Sequence, residues 1–349
     1  MVIFRGTNLK LRQSDDEWKE HCSRRLWLAQ AFRRRLRRPD LDWTAGGQVC
    51  GGVCAASRRL IDGVAVRDLV IDRESGLCVR IYLPEVKCSG GEKLPVVVHF
   101  HGGGFCISEA DWFMYYHTYT DVVKSAEAIC VSVYLRRAPE HRLPAAVDDG
   151  FSALRWLQSV ALGHEIEPWI TENADFNRVF LIGDSSGGNL VHSVAALAGE
   201  ADLAPVKLAG GIPIHPGFVR SERSKSEIEN PQSPFLTLDM VDKFLSLALP
   251  EGSTKDHPIT CPMGANAPPL ETLNLPPFLL CIAEKDLIID TEMEYYRAMK
   301  AANKEVEILM SKGMGHSFYL NKIALKMDPE TAAASDHLFA GIARFIKQH

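Results

Sequence analysis

The sequence lacks the long apolar runs that membrane insertion requires. No stretch reaches the about 18 consecutive apolar residues of a spanning helix, so a membrane span is excluded. Near the N-terminus, Arg5 and Lys10 are followed by no apolar stretch and no small-residue cleavage site of the secretory type. We therefore expect a reducing, cytoplasmic setting.

Cysteine patterns that bind metal are also missing. The nine cysteines are an odd number without framework spacing, and none is placed with histidine at zinc-finger distance. Cys130 and Cys281 lie in apolar, strand-like runs, where a thiol serves as a small hydrophobic side chain. We expect no bound metal.

The chain also lacks a strong excess of positive or negative charge. The 39 Lys and Arg residues nearly balance the 44 Asp and Glu residues, which leaves a formal net charge of −5. Such a mild acidic balance gives no reason to expect nucleic acid or an anionic membrane as partner. With 46% hydrophobic residues, the 349-residue chain can bury a large core.

Apolar runs alternate with segments of helical period from about Ile61 onward. Helical period marks Ala145–Val160 and a final amphipathic helix around Leu338–Phe345. Alternation with near-continuous apolar strands predicts an α/β fold, with a mostly parallel central sheet covered by helices on both faces. The predicted strands are Val96–Phe100, Ile129–Leu135, Arg178–Ile182, Lys207–Ile214, Phe278–Ala283 and Val306–Met310.

One segment within this region departs from the alternation. Gly217–Pro250 begins as a polar stretch and continues as a predicted helix, Leu238–Leu249, with Thr237 as its N-cap. An insertion after the carboxyl end of a strand lies over the face where α/β proteins form their sites. We therefore predict a small lid or pocket wall at about residues 217–250.

Residues 183–187 read GDSSG and match the G-x-S-x-G pattern directly between a predicted strand and a predicted helix. A serine at such a turn has a strained backbone, and the small residues two positions away on either side prevent a clash. The helix that follows aims N–H groups and its positive dipole end at a developing oxyanion. The pattern predicts Ser185 as a nucleophile.

A triple glycine follows an earlier predicted strand, in HGGGF at positions 101–105. Alone it would more often be a flexible turn or an anion nest. Beside a nucleophile, bare amides at this place supply the second half of an oxyanion hole. The predicted donors are the amides of Gly103, Gly104 and Ser186.

A nucleophilic serine needs a base, and the base needs an orienting carboxylate. Asp286 follows the strand Phe278–Ala283 and is the favoured acid, with Asp290 as its rival one helical turn later. His316 lies in a loop after the last strand and is the favoured base. His337 and His349 lie in or beyond the final helix and are interpreted as solvated side chains.

Together these motifs resemble the hormone-sensitive-lipase-like branch of the α/β-hydrolases. APEHRLPAA at 138–146 is similar to a signature of that branch, while DHPITCPMG and GHSFYLNKIA resemble plant carboxylesterases, closest to the carboxylesterase 17 type. The resemblance implies an α/β-hydrolase fold, a Ser185–Asp286–His316 triad, an ester substrate and no cofactor. Glu140 and His141 would be structural, and Leu135 stands where the family commonly has Tyr.

The resemblance also leaves other functions open. Gibberellin receptors resemble the same family but lack a working histidine, and other relatives are dehydratases or cyclases of plant specialised metabolism. For an esterase we expect a small to medium apolar or aromatic ester, bound by a monomer or weak homodimer. The predicted pocket residues are Phe105, Trp112, Phe218 and Phe244.

The first 60 residues differ from the pattern of this family. Plant carboxylesterases begin with an amphipathic helix and a DGSVDR-like turn, whereas positions 32–43 read FRRRLRRPDLDW. A basic tail in solvent is one interpretation. Our hypothesis is an out-of-frame translation, because one choice of GC-rich codons for that run, read one base later, would encode SDDGSVDRTWT. We expect residues 1–60 to be poorly ordered and residues 61–349 to form the α/β-hydrolase domain.

Overall fold

The computed structural model describes residue 60 and residues 63–85, 92–233 and 235–349. The interpretation of residues 1–60 as a poorly ordered segment therefore lies outside the described residues, except for Leu60. The described residues form one eight-stranded sheet of order β1-β2-β4-β3-β5-β6-β7-β8. Its strands are β1 (Val64–Val70), β2 (Cys78–Pro84), β3 (Leu94–Phe100), β4 (Ile129–Val133), β5 (Ala174–Asp184), β6 (Leu208–Ile214), β7 (Phe278–Ala283) and β8 (Val306–Ser311).

The sheet is parallel from β4 through β3, β5, β6 and β7 to β8. The pairings of β1 with β2 and of β2 with β4 are antiparallel. All residues of β3 and β7 are buried, as expected of strands with helices on both sides. The predicted mostly parallel sheet is confirmed. Because the strands are parallel, the loops that follow β3, β5, β7 and β8 all leave the same edge.

Helices pack on both faces of the sheet through two separate apolar clusters. One cluster joins α2, α4 and α7 to the sheet, and the other joins α1 and α9 to its opposite face. The helices are α1 (Phe113–Ala126), α2 (Ala145–Ala161), α3 (Pro168–Thr171), α4 (Ser186–Glu200), α5 (Lys225–Glu229), α6 (Leu238–Ala248), α7 (Ile289–Ala301), α8 (Lys322–Met327) and α9 (Pro329–Gln348), with 3₁₀ turns at Leu270–Thr272 and Phe318–Leu320.

The observed elements extend some of the predicted ones. β5 begins at Ala174 rather than Arg178, because Leu94 and Pro95 of β3 continue the pairing to Ala174 and Asp175. The sequence patterns did not predict β1, β2, α1 or the short helix α5. β1 is the antiparallel edge strand, where five of seven residues are only partly buried, whereas β2 beside it is buried at six of seven positions and its apolar run is interrupted by Arg80.

Residues 217–250 carry α5 and α6, and both helices are capped as their sequences require. Ser224 and Glu227 form a capping box on α5, and the Thr237 hydroxyl accepts the amide of Met240 at 3.1 Å at the start of α6. Arg223 bonds both Glu227 and Asp242, each at 2.5 Å, which joins the two helices. The segment is thus a packed structure with its own polar network.

Among the described residues no helix is long and apolar enough to cross a membrane. Cys130, Cys261 and Cys281 are buried as reduced thiols. For Cys130 and Cys281 this agrees with their role as small hydrophobic side chains in strands β4 and β7.

Candidate active site

Ser185 lies at the turn between β5 and α4 with φ 51° and ψ −121°, a left-handed backbone that a residue with a Cβ adopts only under constraint. The constraint comes from its own peptide groups. Its N–H donates to Ile214 at 2.9 Å, and its carbonyl accepts from Gly188 at 2.8 Å and Gly217 at 2.9 Å. The side chain remains partly exposed. These bonds hold the serine at the end of a tight, strained turn.

The two glycines of the turn are required by close backbone contacts. A Cβ at Gly187 would lie 2.0 Å from the carbonyl oxygen of Phe100, and a Cβ at Gly183 would lie 2.4 Å from the carbonyl oxygen of Gly187. Neither backbone oxygen can move without displacing strand β3 or helix α4. The G-x-S-x-G pattern therefore follows from steric limits at this junction.

The glycine loop after β3 leaves two of its amides, those of Gly103 and Gly104, without an acceptor among the described residues. Gly103 and Gly104 have φ angles of 106° and 61°, a backbone that suits glycine. Among the described residues, no hydrogen bond is donated by the amide of Gly103, Gly104 or Ser186. The Phe105 amide donates to the Ser186 hydroxyl at 3.2 Å, so the glycine loop and the serine turn are directly joined. The arrangement is suited to receive an oxyanion.

Asp184, the residue before the serine, is a second link between these loops. Its buried carboxylate accepts the amide of Gly102 and the hydroxyl of Tyr115, both at 3.1 Å, and His99 Nε2 lies 3.8 Å from it. Sequence reasoning missed this role because the pattern leaves the position open. A carboxylate in so tight and apolar a turn was the signal that could have revealed it.

Asp286 and His316 are brought together from loops that follow β7 and β8. Asp286 Oδ2 and His316 Nδ1 lie 2.7 Å apart, and both side chains are buried. Asp286 Oδ1 accepts the amide of Ile288 at 3.2 Å, which fixes the carboxylate. With Nδ1 held by a carboxylate, Nε2 is the basic nitrogen, and it has no hydrogen-bond partner among the described residues. No hydrogen bond links it to Ser185 in this structure.

Asp290, the rival acid, has a different role. Its carboxylate accepts the amide of Ser226 at 2.7 Å, and the Ser226 hydroxyl in turn donates to the carbonyl of Leu287 at 2.7 Å. Asn230 donates to the carbonyl of Asp286 at 2.7 Å. These bonds tie helix α5 to the loop that carries Asp286. His337 is exposed on α9, and His349 contacts Phe345 and Glu305 at the end of that helix.

The predicted pocket residues separate into two groups. Phe244 of α6 packs on the glycine loop, since a Cβ at Gly104 would lie 2.4 Å from its ring, and Phe105 belongs to that loop. Trp112 is partly exposed just before α1. Phe218 is fully buried, with its ring 4.5 Å from that of Tyr295, and its place in a substrate pocket stays a prediction.

A residue that sequence reasoning missed, His215, lies beside the Asp286–His316 pair. One side-chain ligand atom of each of the three residues lies within 4.8 Å of the others, a spacing that a cation could use. However, Nδ1 of His316 is bonded to Asp286, and Nδ1 of His215 accepts the amide of Ser317 at 2.9 Å. Nδ1 of each histidine is thus committed to a hydrogen bond. Because Nδ1 of His215 accepts, its Nε2 carries the ring proton and cannot bind a cation, which leaves only Nε2 of His316 unpartnered as a histidine ligand, so the group fits a metal poorly.

Several buried groups, in the site and in the core beside it, are held neutral. Burial lowers the pKa of His101, His192 and His215 to about 4, and lowers that of His99 despite the neighbouring Asp184. Burial, reinforced by the charge of Asp286, raises the pKa of Glu292 well above its usual range. The Asp286 and Asp184 carboxylates therefore lie among neutral neighbours.

The fold and the loops at this sheet edge define an α/β hydrolase. The α/β-hydrolase fold family matches residues 97–320 of the chain. The chain is 36% identical to probable carboxylesterase 6 of Arabidopsis thaliana over 74% of this chain and 75% of that protein. It belongs to the α/β-hydrolase fold family, within the plant carboxylesterase group of the hormone-sensitive-lipase-like branch.

Relatives at similar identity differ in their named functions. Tuliposide A-converting enzyme 1 of Tulipa gesneriana is 35% identical over 74% of this chain, and the match spans 65% of that enzyme's length. The gibberellin receptor GID1C of Arabidopsis thaliana is also 35% identical, over 82% of this chain and 84% of the receptor. Among solved structures, an esterase of Pyrobaculum calidifontis is similar with a TM-score of 0.65 and 26% identity, over 81% of this chain and 84% of that chain.

Replacement of Gly187 by alanine should destabilise the protein by at least about 3 kcal/mol, because the new Cβ would overlap the Phe100 carbonyl. Thermal and denaturant unfolding measure the loss. The control is Gly315→Ala, whose Cβ would meet only the Lys285 carbonyl at 4.0 Å and which should cost less than about 1 kcal/mol. Equal stability of the two variants would contradict the steric argument.

Acid should destabilise the protein over the range set by its buried histidines. The pKa of His101, His192 and His215 is about 4 in the folded state, whereas an unfolded histidine titrates near about 6.5. Between these values the unfolded state binds more protons, so stability falls as the pH falls from about 6.5 to about 4. We expect Tm to decline through this range. His192→Gln should make this decline of Tm with falling pH shallower. The same dependence of Tm on pH in that variant would refute the lowered pKa of His192 as one of its causes.

Proposed function

We propose that the protein is a carboxylesterase that hydrolyses small to medium carboxylic esters through an acyl-enzyme on Ser185. The observation that carries the proposal is the 2.7 Å hydrogen bond between Asp286 and Nδ1 of the buried His316, with Nε2 left unpartnered in the described structure. An imidazole oriented in this way is what a general base requires. Ser185 and the glycine loop leave the sheet at the same edge.

In the proposed mechanism Ser185 Oγ attacks the ester carbonyl carbon while His316 Nε2 takes the hydroxyl proton. Asp286 holds the imidazole and stabilises its cationic form. The carbonyl oxygen becomes an oxyanion, which the amides of Gly103, Gly104 and Ser186 receive. His316 gives the proton to the leaving alkoxide. It then deprotonates a water that attacks the acyl carbon, which releases the acid and restores Ser185.

Similar identity to an esterase and to a hormone receptor does not decide between catalysis and binding. The contacts of the site favour catalysis. A binding protein has no need of a buried imidazole held by a carboxylate, nor of a serine with a strained backbone. Elimination or cyclisation could use the same groups, so the products must be identified by mass.

The proposed substrate is an ester with a small or medium apolar acyl group or an aromatic group. Phe244 packs directly on Gly104, and Phe105 follows that glycine, so aromatic side chains lie next to the proposed oxyanion donors. A pocket lined in this way favours apolar groups of limited length.

Replacement of Ser185 by alanine should lower kcat by at least about 10³-fold, with residual turnover from the oxyanion donors. A fluorophosphonate probe should label the unaltered protein at Ser185 and fail to label the variant. The control is Ser193→Ala on the same helix, where the hydroxyl only donates to the Asn189 carbonyl at 3.1 Å, and turnover should be retained. Ester turnover that survives in Ser185→Ala would disprove the proposed nucleophile.

A p-nitrophenyl ester series tests the substrate class. We expect kcat/KM to be highest for acetate to hexanoate and to fall about tenfold or more for dodecanoate, because Phe244 and Phe105 limit the space beside the oxyanion loop. Preference for the long chain would overturn the substrate proposal. Tight binding of a gibberellin-like hormone without turnover of any ester would favour the receptor alternative.

A further inference from the structure

His215 follows strand β6 directly and has an unusual backbone for a histidine. Its φ is 44°, in the left-handed region, and its side chain is completely buried. The position is held because its amide donates to the Cys281 carbonyl of β7 at 2.8 Å. The ring is therefore fixed between the strand that precedes the lid segment and the strand that precedes Asp286.

The ring of His215 binds the backbone of the loop that carries His316. Nδ1 lies 2.9 Å from the amide nitrogen of Ser317, the residue next to His316, across 102 positions of sequence. A backbone N–H can only donate, so Nδ1 must accept, and the ring must be neutral with its proton on Nε2. The tautomer of His215 is thus determined by this single bond.

Ser317 is a buried residue with a strained backbone in the loop that carries His316. It is buried, its φ is 50°, and it begins the 3₁₀ turn at Phe318–Leu320 by accepting the Leu320 amide at 3.0 Å. If His215 did not accept its N–H, a buried donor would be unsatisfied at a strained residue adjoining His316. A shift of about 1 Å in a catalytic group can cost about 10²-fold in rate.

The surroundings of His215 favour the neutral ring. The rings of Phe318 and Tyr319 have centroids 5.9 Å from its own, as does the ring of His316. The charges that act on it are Asp286 and Asp184, which favour protonation, and His316, which opposes it when charged. Burial outweighs the two carboxylates and lowers the pKa of His215 to about 4, so Nδ1 remains an acceptor at neutral pH.

We propose that His215 is a positioning residue for the base, which fixes the loop of His316 by accepting the amide of Ser317. The inference rests on the proposed esterase function, since it assigns the loop a catalytic base. His215 touches neither the ester nor the reacting atoms in this role, and acts through the backbone beside His316.

The test compares two nearly isosteric replacements, His215→Asn and His215→Leu. The asparagine Oδ1 is separated from Cα by the same two atoms as the histidine Nδ1, so it can accept the Ser317 amide, whereas leucine offers only a methyl group there. Asparagine also tolerates a left-handed backbone better, so unfolding is measured for both. The matched control is the pair His192→Asn and His192→Leu, at a buried histidine that bonds Tyr295 at 2.9 Å away from the base.

We expect His215→Leu to lower kcat by about 10- to 100-fold with less than about a threefold change in KM, and His215→Asn to recover most of the loss. Hydrogen exchange of the 313–320 segment should rise in His215→Leu and stay near the unaltered rate in His215→Asn. The two His192 variants should lose stability, but their kcat and their exchange of residues 313–320 should not differ between leucine and asparagine.

Unchanged kcat in His215→Leu, or equal losses in the leucine and asparagine variants, would overturn the positioning role. Equal hydrogen-exchange rates of residues 313–320 in His215→Leu and His215→Asn would also overturn it. If the unaltered protein turns over no ester, the proposed function fails, whereas the exchange comparison still decides whether His215 holds the Ser317 loop. The two proposals can therefore fail separately.

Discussion

The contact between the end of β3 and the start of α4 is the constraint on which the site depends. The backbone of Gly187 lies so close to the Phe100 carbonyl that no side chain fits between them. This approach places the glycine loop after β3 beside the turn after β5. Asp184 then joins the two loops by accepting the Gly102 amide and the Tyr115 hydroxyl. The proposed nucleophile and its oxyanion donors are thus held by a backbone contact and a buried carboxylate.

The acid and base are held by longer-range contacts. Their loops follow β7 and β8, and neither strand touches β5, since β6 lies between. The segment after β6 therefore has to connect the two halves of the site. Its first residue, His215, accepts the Ser317 amide, and Asn230, which follows helix α5 further along, donates to the Asp286 carbonyl. Both contacts act on backbone atoms, so they fix the loops without competing for the hydrogen bond between Asp286 Oδ2 and His316 Nδ1.

Much of this architecture could be predicted from the sequence because local patterns encode it. Buried parallel strands such as Phe278–Ala283 are continuous apolar runs, and Thr237 is a recognisable helix cap. Ser185, Asp286 and His316 could be proposed because each follows a predicted strand in the order this fold uses. His215 and Asp184 could not be assigned roles, since their partners are distant in sequence. The contact of Phe218 with Tyr295 could not be predicted either, because sequence order does not show where a chain turns inward.

The neutral groups around the site have a common electrostatic consequence. A carboxylate such as Asp286 is costly to bury unless its charge is compensated by hydrogen bonds or by a positive partner. Here its neighbours His215 and Glu292 are held neutral by burial, so neither supplies a competing fixed charge. The compensation comes from the Ile288 amide and from His316 Nδ1–H. A cationic His316 is therefore the one ionic partner close to Asp286 among the described side chains, and stabilisation of that cation is the step that proton removal from Ser185 requires.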